Sequence, residues 1–221
     1  QMTSLTNISL ANNNLTSLPE SFGQLKSLEK LDISNNNISS LPESFDQLTA
    51  LTELKIDSVA TVHRESHEDR SQMNESEKER KIRKEAERNK IMDYNGEKVI
   101  KGDLDLLEEL EKEVGKIPIV SKIGVNTFGV MIVDTHVVGL GLCRMKLDSL
   151  EKSPGQLTLG SSLNVTYNRL ATFLDTIGQL KSLEYLYLNS NYLKKLPKSI
   201  GLLTSLKELG LFGNLLTSLP D

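Results

Sequence analysis

Leu5-Thr6-Asn7-Ile8-Ser9-Leu10-Ala11-Asn12-Asn13-Asn14-Leu15-Thr16-Ser17-Leu18-Pro19-Glu20-Ser21-Phe22 decides the fold, because the same line is written again as Leu28-Glu29-Lys30-Leu31-Asp32-Ile33-Ser34-Asn35-Asn36-Asn37-Ile38-Ser39-Ser40-Leu41-Pro42-Glu43-Ser44-Phe45. The step is 23 residues, and Leu51, Leu54 and Ile56 open a third copy. A second series with the same step carries Leu140, Leu163, Leu186 and Leu209, then Leu142, Val165, Leu188 and Leu211 two residues on. Its asparagines are Asn168, Asn191 and Asn214. Self-similarity at this period means stacked units, each too small to bury its own apolar face.

Within a unit, leucines on alternate residues place two apolar side chains on one face of a short strand. Stacking the units buries that face. The asparagine stands where the chain turns away from the strand, and its amide can satisfy backbone groups that the turn would otherwise leave unpaired inside. The Leu-Pro that follows ends the turn, since proline fixes φ and lacks an N–H. Phe22, Phe45, Ile177 and Ile200 are expected to plug the convex side of the core.

These residues resemble the leucine-rich-repeat family, in the intracellular class written L-x-x-L-x-L-x-x-N-x-L-x-x-L-P-x-x-[IF]-x-x-L-x-x. The likeness covers about 1–57 and 137–221. It implies an α/β fold: a curved solenoid with short parallel strands on its concave face, which binds protein partners there. Some positions depart from the template: Val59 and Met145 stand for the asparagine, Glu151 and Leu174 for the proline, and Gly160 for a leading leucine. The unit around residue 160 is therefore expected to be the softest of the second array. Gln1 and Asp221 both fall in mid-pattern without polar capping units, so the sequence reads as a stretch of a longer repeat protein.

Leu51 and the equivalent Val137 stand 86 residues apart, which is not a multiple of 23, so the interval is an insertion and not eroded repeats. His63 to Lys90 holds 9 basic and 8 acidic residues with almost no apolar ones. Such a segment is a solvated helix with i,i+4 pairs or a disordered linker. Farther on, Leu104, Leu107, Leu110 and Val114 share one helical face, with Asp103 as N-cap and Gly115 and Pro118 as the stop. Thr127–Val133 and His136–Leu142 then read as two strands about Asp134-Thr135. A helix and hairpin there would cap the second array, and they look like the module leading some archaeal leucine-rich arrays, including proteins that carry small-GTPase-like domains. The expected organisation is a first array over 1–58, a charged linker over 59–101, a helix-hairpin cap over 102–136 and a second array over 137–221.

The search for chemistry points away from an enzyme. Gly124-Val125-Asn126-Thr127-Phe128-Gly129 has phosphate-loop glycine spacing but continues with Val130-Met131 where Lys and Ser or Thr are required. Gly139-x-Gly141 lacks its third glycine, Arg144 standing there. His63 and His67 are four apart but have no third ligand and the wrong glutamate order. Cys143 sits beside Arg144, which would lower its pKa, yet no histidine is placed as base. No catalytic residue, cofactor or metal is expected. A lone cysteine, no leader-like or membrane-spanning apolar run, and a net charge of −4 point to a soluble cytoplasmic protein without nucleic-acid or membrane partners.

The strand residues that alternate with the leucines face the concave surface. The first array presents Thr6, Asn7, Ser9, Lys30, Asp32, Glu53, Lys55 and Asp57, a polar strip of mixed charge. The second presents Thr166 together with the candidate partner-binding set: Arg144, Asn164, Tyr167, Tyr185, Tyr187, Asn189, Lys207, Glu208 and Phe212. Three of the chain's five tyrosines fall in that set, and clustered exposed tyrosines are a protein-contact signal. The expected function is a protein-interaction scaffold. The alternative is a regulatory arm of a larger, GTPase-linked protein.

Overall fold

The computed structural model describes residues 2–57, 91–124, 126–134, 136–150 and 160–220. The charged linker expected from residue 59 and the sequence around His63 and His67 lie outside the described residues up to residue 90.

Seven units contribute parallel strands three to seven residues long: β1 (Asn7–Ser9), β2 (Lys30–Asp32), β3 (Glu53–Lys55), β7 (His136–Leu142), β8 (Ser162–Asn164), β9 (Tyr185–Tyr187) and β10 (Glu208–Gly210). With β6 (Phe128–Val133) they make one sheet in the order β3-β2-β1-β10-β9-β8-β7-β6. The second array therefore comes first in space, and its last strand pairs with the first strand of the chain. β1 lies parallel to β10 with Asn7, Ile8 and Ser9 opposite Glu208, Leu209 and Gly210. The two arrays, separate in sequence, stack into a single ladder.

The leucines form a continuous interior, with Leu10, Leu31, Leu142, Leu163, Leu186 and Leu211 all essentially sealed from solvent. The asparagines pin the turns. Asn191 donates to the carbonyls of Leu188 and Val165, both at 3.0 Å, and accepts from the Leu170 N–H at 3.1 Å. Asn168 and Asn214 repeat the pattern one unit to either side. The residue before each turns left-handed: Asn12, Asn35, Tyr167, Ser190 and Gly213 lie at φ 53–65, and Arg144, ahead of Met145, at φ 61. Among the described residues, 3₁₀ turns at Glu20–Gln24, Glu43–Gln47, Asp175–Gln179 and Lys198–Leu202 close the convex side, the first and last carrying the plugs Phe22 and Ile200.

The other end of the second array is capped. Helix α1 (Lys101–Val114) buries Leu104, Leu106, Leu107 and Leu110, and Gly115 stops it at φ +78. Asp103 is not the N-cap expected of it, because the helix begins two residues earlier. It is fully buried and its carboxylate accepts the Val137 N–H at 2.9 Å, tying the helix to β7. β6 pairs antiparallel with β7 and covers the edge. One further element was not expected. Within the linker expected over 59–101, β4 (Ile91–Tyr94) and β5 (Glu97–Ile100) form an antiparallel hairpin about Asn95-Gly96, both at positive φ. Asn-Gly is the preferred sequence for such a two-residue turn. Tyr94 fixes the hairpin to α1, its hydroxyl 2.8 Å from the Glu111 carboxylate and 2.9 Å from the Ile117 carbonyl.

Candidate functional site

A strand ladder projects every second side chain to its concave face, so the order of strands dictates what lies together there. On β7 those positions are Gly139 and Gly141, and they are empty for a reason. Ile123 and Thr127, from the loop that precedes β6, lie over them. A Cβ at Gly139 would stand 2.7 Å from Ile123, and one at Gly141 only 2.5 Å from the Thr127 carbonyl. The glycines weighed above as nucleotide motifs thus admit a loop against the sheet. The Thr127 hydroxyl accepts the Gly124 N–H at 2.8 Å, holding the loop's tip.

The loop seals the next strand as well. Ser162, Asn164 and Thr166 are all buried. Asn164 donates to the Gly124 carbonyl at 2.5 Å and accepts the Thr166 N–H at 2.9 Å. Its expected role as a partner-binding residue is corrected accordingly: an amide with both ends committed under a loop presents nothing to a partner. The Cys143 thiol is also buried, 4.0 Å from the Asn126 side chain. Burial raises its pKa and outweighs the lowering by Arg144, so the thiolate needed for nucleophilic chemistry is disfavoured.

Beyond the loop the face opens into a groove of about 550 Å³ lined by residues of both arrays. Five of the nine candidates line it: Tyr167, Tyr187, Asn189, Glu208 and Phe212. Phe212 and Tyr167 keep 42% and 48% of their surface exposed, far more than the near-zero exposure of the leucines behind them. Tyr187 is half-buried beside Glu208; burial first, and then that negative charge, push its pKa well above the usual tyrosine value. The phenol therefore stays protonated as a donor. Asn189 accepts the Phe212 N–H at 2.9 Å, so it sets the backbone that carries the exposed ring.

The remaining candidates sit at the margins. The Arg144 guanidinium lies over the Tyr167 ring, 4.8 Å from its centroid, a cation–π arrangement. Both residues hold left-handed backbone where Asn or Gly is easiest. Tyr185 does not line the groove. Lys207 stands beside it and pairs with Glu184 at 2.8 Å, which raises the lysine's pKa. From the first array the groove takes Asn7, Ser9, Lys30, Asp32, Glu53 and Lys55, and from the loop Asn126. The sequence leaves open whether the polar strip of the first array shares a surface with the second. Only the seam between β10 and β1 brings it beside the aromatic residues.

The family comparison agrees with this architecture. The leucine rich repeat family matches residues 3–58 and 161–216, about half of the chain. The chain belongs to the leucine-rich-repeat family. Similar solved structures include a leucine-rich-repeat protein of Leptospira interrogans, 22% identical over 94% of this chain and 66% of that one, with a TM-score of 0.30. Another is an internalin of Listeria monocytogenes, 14% identical over 96% of this chain and 55% of that one, with a TM-score of 0.32. The chain thus spans about two thirds and just over half of their lengths. No curated protein matches it. Among the described residues, no helix of this leucine-rich-repeat chain is long and apolar enough to cross a membrane, and no cluster of three or more His, Cys, Asp or Glu is placed to hold a metal ion.

Proposed function

We propose that this leucine-rich-repeat chain is a non-enzymatic scaffold that holds a protein partner in the concave groove. The observation that carries this reading is the pair of exposed rings, Phe212 and Tyr167, standing in an open groove with Tyr187 and Glu208 beside them. Large aromatic surface left open in water is unfavourable unless something covers it. Tyrosine and arginine are the side chains most enriched in the energetic centres of protein interfaces. The left-handed backbone at Arg144 and Tyr167 supports the reading, because bulky side chains there cost of order 1 kcal/mol each and give exposed contact surface in return. Charged side chains on β2 and β3 supply a polar rim. The helix-hairpin cap, by its place ahead of β7, is read as a leading module of the archaeal kind.

The test is a partner captured on the full chain and titrated against variants. Phe212→Ala and Tyr187→Ala are expected to weaken the complex by about 2 kcal/mol or more each and leave the melting profile in place. Leu186→Ala, directly behind them, should lower stability instead. Lys198→Ala, on the convex side, should change neither. Normal binding by both aromatic variants would move the site off the concave face.

A further inference from the structure

Among the described residues the ladder ends at β3 (Glu53–Lys55), whose three residues are all exposed. Leu54 occupies the leucine position that is 1% exposed at Leu31 and 6% at Ile8, but here it is 39% exposed. The edge is also polar in a defined direction. Glu53 donates its N–H to the Glu29 carbonyl and the Lys55 carbonyl accepts the Ile33 N–H, so both residues turn their backbone groups toward β2. By strand alternation, the N–H and C=O of Leu54 point outward.

We propose that this edge is a dimer interface in which β3 of a second copy pairs antiparallel with β3 about a two-fold axis at Leu54. This is the register in which the outward Leu54 groups of the two copies exchange both hydrogen bonds. It sets Leu54 on Leu54 and brings Glu53 of each copy opposite Lys55 of the other, on the same concave face.

The charges on the neighbouring strand fit the same register. Lys30 lies beside Glu53 and Asp32 beside Lys55, with Lys30 and Glu53 in ion-pair contact at 3.4 Å. Read across the two-fold, one row runs Lys30, Glu53, Lys55 of the second copy, Asp32 of the second copy. The signs alternate throughout. The second row is its symmetry mate. A parallel approach would set Glu53 on Glu53 and Lys55 on Lys55, so the charge pattern selects one orientation and one occupant: another copy of this chain. The same charged residues line the groove, so the test reads self-association of the chain alone, with no groove partner present.

Sedimentation of the full 221-residue chain tests it. The wild type should dimerise reversibly over about 1–100 µM. Glu53→Lys and Lys55→Glu should each weaken self-association by about tenfold or more, because each turns both cross-copy pairs into like charges. Mixing the two variants in equal amounts restores opposite signs in every cross-copy pair, and a heterodimer at least as tight as the wild type should form. Circular dichroism of each variant checks that the fold is kept. A wild type that stays monomeric, variants that dimerise as well as the wild type, or a mixture that stays monomeric would each overturn the proposal.

Discussion

The step from β9 to β10 and the step from β10 to β1 are built alike, although the first joins consecutive units and the second joins the two ends of the chain. In both, the strands are parallel and in the same register. Asn13 donates to the Leu211 carbonyl across the seam and accepts the Leu216 N–H, each at 3.0 Å, as Asn214 does with Leu188 and Leu193 one unit earlier. The convex sides differ. Between β9 and β10 the plug Ile200 is 4% exposed. At the seam, a pocket of about 320 Å³ opens on the convex side among Met2, Phe22, Leu25, Ile200 and Leu219. The strand ladder and its asparagines need only the right side chains in register. Filling the convex side needs a plug residue at every step.

Five substitutions sharpen or break that comparison. The largest effect is expected inside the second array, where Leu188→Ala empties a sealed site and should cost about 2–5 kcal/mol in denaturant unfolding. Next come the asparagines. Asn191→Ala and Asn13→Ala each leave one N–H, of Leu170 or Leu216, without its partner and remove one of the two asparagine donors from a pair of carbonyls, and each should cost about 1–3 kcal/mol. A costly Asn191→Ala with a harmless Asn13→Ala would mean that the seam does not close in solution. Filling the pocket works in the opposite direction, and Met2→Phe is expected to stabilise the chain by about 0.5–1 kcal/mol. A loss of stability there would show that the convex side is already packed. The smallest effect is expected at Tyr167→Asn, which trades ring contacts for a side chain suited to left-handed backbone and should stay within about 0.5 kcal/mol of the parent by thermal melt.

Much of this is legible in the sequence itself. The 23-residue register marks each strand, the asparagine turns and the plugs, because each repeated residue answers one local requirement and repetition makes it visible. The cap helix was read from its apolar face, but Asp103 was misassigned. An acidic residue near a helix start suggests a cap, and only the position of β7 reveals a buried carboxylate tying two elements together. The hairpin at 91–100 is hard to see in the sequence despite Asn95-Gly96, because the charged run before it hides a short apolar alternation. Within the site, the alternation rule placed Tyr187, Glu208 and Phe212 correctly on the open face. It failed at Asn164, since no local pattern shows that a loop forty residues earlier will cover it. The contribution of Lys30, Asp32, Glu53 and Lys55 was hidden for a similar reason. Which array end meets which is a tertiary fact, and both series obey the same template.

The central claim is that β1 and β10 are neighbours, so that one groove draws on both arrays. An engineered disulfide tests it most directly. Asn7 and Glu208 face each other in register, at the roughly 5 Å strand spacing that a disulfide spans. The double variant Asn7→Cys, Glu208→Cys should close an intramolecular bond under mild oxidation, seen as a faster-migrating monomer on a non-reducing gel. A control pair, Asn7→Cys with Tyr185→Cys, lies one strand farther away at roughly 10 Å and should stay reduced. If the first pair closes no faster than the control, the two arrays do not share a sheet and the groove as described does not exist.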